Sequence, residues 1–295
     1  MPHSFLFLFL SVFAGSMYAL QSTLLAKYSR ALDGLSVAVY RNGSLMITML
    51  PLLFFAGEEE IQKALHSGGP IVLAGAFGGI GLSLGISSQR YLPVGISSAL
   101  TQGGPLFLFL WGFLYFHHIP SFGEIGFVMV ILLGVFFLIK QPHHLPHLDA
   151  RTGRGIAFIL CSTFLGSLSF FCVNIAVKDI SPFAVGYFWE ASVGFFALLF
   201  AVLRTLVQKI PLKKISLSQL KNIALSASPT VFASVAFPYA MSICTAGIAS
   251  TVVNATGVLV VTTLGFFWYG EKLKKNQIIG MVIIVAGMAG MRILG

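Results

Sequence analysis

Two ionisable residues stand inside long apolar runs, and they are the first places to look for chemistry. Arg41 lies about six residues into the second such run and Glu190 about nine into the seventh. A charge at the centre of a membrane helix costs roughly 2.5 to 3.5 kcal/mol even on a mild insertion scale. Such residues therefore mark solute or proton pathways unless, like a long arginine, they can snorkel to an interface. Arg41 suits a carboxylate or another anion; Glu190 suits an amine or a proton and is the candidate for proton coupling. Reckoned by depth from the loops, Arg41 sits nearer the cytoplasm and Glu190 nearer the outside, so an ion pair between them is not assumed.

Polar and aromatic side chains supplement these two as candidate substrate-binding positions. Tyr18, Gln21 and Ser22 lie within about one turn and give the first run a polar stripe. The sixth run repeats it with Ser169, Cys172 and Asn174, beside Phe171. Tyr40 adjoins Arg41, Tyr187 and Trp189 precede Glu190, and Tyr239 lies in the eighth run. A cation over Trp189 or a tyrosine would gain ~0.5 to 2 kcal/mol. Gln102 and Asn254 offer amides able to read donors or acceptors, each followed by small residues expected to weaken the helix: Gly103, Gly104 and Pro105 in one case, Ala255, Thr256 and Gly257 in the other.

The elements that must position these groups are membrane helices. The chain is 57% apolar and 9% charged, far from the roughly 25% charged residues of a soluble domain. Hydrophobic stretches fall at about 4–26, 36–56, 70–90, 95–116, 122–140, 155–177, 182–207, 222–244, 247–269 and 277–294. Most approach the ~20 residues that cross a bilayer as helix, and helices satisfy every backbone polar group within the segment. The expectation is an all-α membrane protein of ten spans. The first stretch lacks a basic leader and outruns a signal-peptide core, so it counts as a span. Cys161, Cys172 and Cys244 read as buried small apolar residues rather than a disulfide framework.

The ten runs divide into two. Gly15 and Ser16 lead to Lys27 as Gly166 and Ser167 lead to Lys178, an offset of 151; Gly95, Ile96, Ser98 and Gln102 recur as Gly247, Ile248, Ser250 and Asn254, an offset of 152. Residues 1–141 form one five-helix repeat, 142–154 a linker and 155–295 the second repeat. Five is odd, so the second repeat enters the membrane inverted, and a solute site is expected at the seam. The third run, with Gly75, Gly78, Gly79, Gly81 and Gly85, and the eighth, with Pro229 and Pro238, are expected to be interrupted or closely packed at that site.

Charge sets orientation and narrows the partners. Of 18 Lys and Arg, only Lys63, Lys178 and Arg292 fall on the side of the even loops and the C-terminus. The positive-inside rule then places both termini outside and the basic loops, with Lys209, Lys213, Lys214, Lys221 and Lys272, against the anionic inner leaflet of an inner (plasma) membrane. The net charge of +9 is explained by that topology, and no nucleic acid is expected. Nor is a cofactor or metal: His117, His118, His143, His144 and His147 lack neighbouring cysteines or carboxylates, no phosphate-binding glycine motif occurs, and no intramembrane acid/base pair suggests an enzyme.

The sequence also resembles the EamA-type permeases of the drug/metabolite transporter superfamily. The resemblance rests on Tyr269, Gly270 and Glu271, on Gly280 and Gly287 in the last run, and on the entry from Gly247 to Thr251. In the first half Gly134 aligns with Gly287, but His118 stands where the family often has glutamate. The resemblance implies ten helices in two inverted repeats, a central cavity between them and a structural role for Glu271. It implies a secondary transporter; Arg41 and Glu190 together motivate small polar or zwitterionic metabolites, amino acids or derivatives such as S-adenosylmethionine, as its solutes, with a multidrug exporter or, more remotely, a membrane enzyme as the alternative. A monomer is the expected state.

Overall fold

A computed structural model describes residues 2–92, 97, 100–117, 119–139, 150–269 and 274–294. Gly95, Ile96, Ser98, His118, Gly270, Glu271, Lys272 and the expected linker segment 142–149, with its three histidines, lie outside the described residues. The described residues contain no strand. Six helical stretches are long and apolar enough to cross a membrane: Phe5–Tyr28, Gly69–Ser88, Ala150–Ala176, Pro182–Gln208, Leu217–Ile243 and Ala246–Leu264. Three shorter apolar helices cover Gly104–Phe116, Phe122–Phe137 and Lys275–Gly290.

The remaining expected span is divided. After α1 (Pro2–Ala31), α2 runs only from Gly34 to Thr48, and α3 (Pro51–Ala56) starts afresh with proline in its first turn, where the missing N–H leaves nothing unsatisfied. Gly57, at φ 84°, then turns the chain into α4 (Glu58–Ser67). The three glutamates opening α4 complement the helix dipole.

α5 (Gly69–Ser88) takes the second of the two expected forms, since its glycines do not interrupt it. They allow close approach instead: a Cβ at Gly75 would strike Ser192, and one at Gly81 would lie 3.4 Å from the backbone nitrogen of Gly166. In the fourth run the helix does yield, with a turn at Gln102 and Gly103 before α6 (Gly104–Phe116). Its counterpart does not. With no proline to break it, α12 (Ala246–Tyr269) passes unbroken through Asn254 to Gly257.

Before it come α7 (Phe122–Ile139), α8 (Ala150–Ala176), α9 (Pro182–Gln208), α10 (Leu217–Ala227) and α11 (Pro229–Ile243); α13 (Lys275–Leu294) follows. Pro229 breaks the eighth run between α10 and α11, whereas Pro238 is carried within α11. Of the cysteines, Cys172 is buried as expected, but Cys161 on α8 is exposed and Cys244 half-buried. An apolar thiol on an outward helix face has hydrocarbon, not water, to meet.

Packing repeats when the halves are exchanged. α1 packs on α11 and α12, and α8 on their counterparts α5 and α6; α2 packs on α9, and α7 on α13. Gly34 and Gly186, 152 residues apart, do the same work: a Cβ at either would collide with a serine carbonyl, Ser83 on α5 or Ser234 on α11. Val173, Val185, Phe237 and Val252 are fully buried in the main core, which joins α8, α9, α11 and α12.

A polar clasp ties the α1–α2 turn to the segment after α9. Asp33 caps α2 by accepting from the Ser36 N–H at 3.1 Å and pairs with Arg204 at 2.7 Å. The Lys213 N–H donates to Ser36 Oγ at 3.2 Å, and the Tyr40 hydroxyl donates to the Lys213 carbonyl at 2.7 Å. Burial disfavours the Asp33 carboxylate, but the hydrogen bonds from Ser36 and Arg204 outweigh it and hold the group below the ordinary carboxylate range. Its contribution is thus complete above the usual carboxylate pKa and fades as pH falls through the lower folded value. Arg204→Ala should cost about 1 kcal/mol at neutral pH and move the acid loss of stability to higher pH, measurable as unfolding midpoint against pH.

Candidate functional site

A cavity of about 400 Å³ lies where the two halves meet. α1 supplies Tyr18, Gln21 and Ser22; α2 supplies Arg41; α5 supplies Gly78, Gly81 and Gly85. The second half contributes Ser162 and Ser169 from α8, Trp189 and Glu190 from α9, and Asn254 from α12, while Gln102 enters from the turn before α6. The wall runs on through Leu25, Gln89, Ile159 and Val261, so the space reaches towards the end where α1 and α5 finish and α8 begins. Near Tyr18 three edge-to-face contacts fill the seam instead: Tyr18 with Phe237 (6.3 Å), Phe170 with Phe237 (4.9 Å) and Phe170 with Trp189 (5.7 Å).

One wall holds a buried ion pair. Arg41 Nη1 lies 2.9 Å from Glu190 Oε2, and both side chains are 5% exposed. Arg41 Nη1 also donates to Asn42 Oδ1 (2.7 Å), and Nη2 to Gln21 Oε1 (2.9 Å) and Thr230 Oγ1 (3.3 Å). Glu190 accepts from Asn42 Nδ2 (2.8 Å) and from Ser234 Oγ (2.8 Å), and Thr230 donates to Gln21. Both nitrogens of the guanidinium fork are thus engaged, and Nε is the Arg41 donor left without a partner. Buried charges survive when paired and hydrogen-bonded in this way. The network draws on α1, α2, α9 and α11, two elements from each half.

This pairing does not follow from the depths at which Arg41 and Glu190 stand in their runs. Arg41 stands 7 residues past the first residue of α2 and Glu190 8 past that of α9, so at 1.5 Å per residue each lies roughly 10 to 12 Å from its own end. Counted from opposite faces of a ~30 Å core, as inverted repeats would require, those depths would leave roughly 8 Å, which a long arginine side chain and helix tilt can close. α2 and α9 also pack directly, with Gly194 letting Asn42 approach: a Cβ there would lie 3.1 Å from Asn42 Cβ.

Another wall holds the amides. Gln102 Nε2 donates to the Asn254 carbonyl at 3.5 Å, and Asn254 Nδ2 to Ser250 Oγ at 3.1 Å. The Gln102 amide therefore meets the backbone of the residue that matches it across the repeat. Trp189 Nε1 donates to Ser169 Oγ at 3.1 Å, which fixes the indole against α8.

Five sequence-predicted positions lie off this cavity. The Tyr40 hydroxyl is spent on Lys213, because adjacent helical residues diverge by about 100° and only Arg41 turns inward. Phe171 packs edge-on against Tyr115 at 5.5 Å, two residues and just over half a turn beyond the inward Ser169. Asn174 is buried away from the cavity lining. Tyr187 packs beside Leu45, Met49 and Ala227. Tyr239, 38% exposed, borders an outer hollow with Glu60 and Asp179. Conversely, Asn42, Thr230 and Ser234 escaped the sequence reading; the adjacency of Asn42 to Arg41 and the i, i+4 spacing of Thr230 and Ser234 were the available signals. Among the described residues no group of three His, Cys, Asp or Glu could hold a metal.

Membrane-length helices in two equivalent halves around a solute-sized hollow define an integral multi-pass membrane protein. The EamA-like transporter family model matches twice, over residues 4–140 and 153–293, and the chain belongs to that family. No curated protein matches the sequence. Among 28 matching chains of solved structures, one, described only as the crystal structure of a protein, aligns over 96% of both chains with a TM-score of 0.73 and 13% identity, a likeness of fold alone.

Proposed function

We propose that the protein is a secondary transporter that moves small polar or zwitterionic organic metabolites by alternating access between two inverted five-span repeats. The observation that carries this is the cavity on the seam, walled from both halves and holding a neutralised charge pair. A cavity whose two charges cancel does not draw in a net cation or anion. It presents instead a local dipole, against which a zwitterion can lie head to tail. Amino acids therefore lead, and S-adenosylmethionine, with one further positive charge, follows. On the positive-inside assignment the cavity faces the cytoplasm of an inner (plasma) membrane. The apolar and aromatic remainder of the wall favours a second reading, export of amphiphilic drugs or toxic metabolites.

Counterflow in proteoliposomes decides between them. Preloaded zwitterionic amino acids should accelerate entry of labelled amino acid. Acceleration by hydrophobic cations alone would replace the first reading with the second, and acceleration by neither would remove both. If Glu190 also carries the coupling proton, an imposed pH gradient should drive uptake in the wild type and not in Glu190→Gln. Equal drive in both would assign the proton elsewhere.

A further inference from the structure

Gly15 and Gly166 hold equivalent places in the two halves, yet their surroundings differ. A Cβ at Gly15 would collide with the Val253 carbonyl and come within 2.9 Å of Thr256 Cβ, so α1 closes on α12 through a glycine. A Cβ at Gly166 would meet nothing within 4 Å; this position borders the cavity. A glycine inside a helix is unfavourable unless something approaches it closely. Nothing in this conformation does so on the side a Cβ would occupy.

The counterparts of Val253 and Thr256, 152 residues earlier, are Thr101 and Gly104, which flank the turn where the fourth run yields. α8 here meets that segment one turn before Gly166, with Thr163 Cγ2 3.7 Å from where a Cβ on Gly104 would stand. We propose that Gly166 is the residue on which α8 closes against Thr101–Gly104 in the opposite-access conformation, as α1 closes here on α12 through Gly15. In that conformation the α1–α12 seam parts. Ser11, one turn from Gly15, is fully buried with an unpartnered hydroxyl that would then reach water. The inference rests on the alternating-access reading above.

Labelling in nanodiscs tests it without a known substrate. With Cys161, Cys172 and Cys244 replaced by alanine, a single reporter is introduced as Ser11→Cys in the seam or Ser22→Cys in the cavity, and a charged, membrane-impermeant maleimide is the probe. With Gly166 intact both reporters should react. In Gly166→Val the Ser11→Cys reporter should react at least tenfold more slowly while Ser22→Cys stays within about threefold, with Gly166→Ala intermediate. An unchanged Ser11→Cys rate in both variants overturns the proposal and leaves alternating access standing. Loss of Ser22→Cys reactivity in both variants overturns it too, by showing that Gly166 is needed for packing in this conformation. Failure of Ser11→Cys to react even with Gly166 intact means the seam never opens, which removes the alternating-access reading itself.

Discussion

Glu190→Ala should be among the most destabilising single substitutions in this chain, at about 3 to 5 kcal/mol, because it strands the Arg41 guanidinium without its anion. The figure follows from the geometry. Arg41 and Glu190 are each 5% exposed at the side chain, so neither can recover water when its partner goes. Asn42, Gln21 and Thr230 would still accept from the guanidinium, but neutral acceptors do not replace a carboxylate. Ser234 would also lose the oxygen to which it donates, and Asn42 would keep only the backbone carbonyl of residue 190. Against a total stability on the order of 5 to 15 kcal/mol, this is a large share. Thermal unfolding in detergent, followed beside Ser22→Ala as a control on the cavity wall, measures it. A midpoint within a degree or two of wild type for Glu190→Ala would mean that the pair is not formed in the native protein.

How far the sequence reaches can be judged from these same residues. The helical class, the two-part organisation and the correspondence of Gln102 with Asn254 follow from run length and the offset between halves, both carried by the chain itself. The Arg41–Glu190 pair was hidden because depth was counted from loop to loop. α2 is shorter than its hydrophobic run, since Pro51 restarts the helix, and a long side chain bridges depth that residue counting treats as a barrier. The repeat held the missing signal. Shifted back by 152, Glu190 falls on Ala38, one turn from Arg41, on a helix that packs against its own counterpart. The glycines of α5 leave two readings open for a different reason: the same composition serves a broken helix or a closely packed one, and only the neighbours across the gap, Ser192 and Gly166, decide. Tyr187 and Asn174 show the limit of adjacency, because the side a helix turns to the cavity is set by its neighbours and not by polarity alone.

Stability and transport can be separated at this site with a double substitution. Arg41→Gln/Glu190→Gln removes both charges while leaving amides that can answer Asn42, Gln21 and Ser234, so its unfolding midpoint should lie much nearer wild type than that of either single variant. Each single variant leaves one buried charge unopposed; the double leaves none. If the pair served only to hold α1, α2, α9 and α11 together, this neutral replacement would transport normally. On the proposed function it should not, because the dipole that orients a zwitterion has gone. Amino-acid counterflow in proteoliposomes should fall at least tenfold, a loss of about 1.4 kcal/mol or more in solute recognition, while labelling of Ser22→Cys from the cavity continues. Near-normal counterflow in the double variant would assign the pair to architecture alone, and would move solute recognition to the facing amides, Gln102 and Asn254, and to the indole of Trp189.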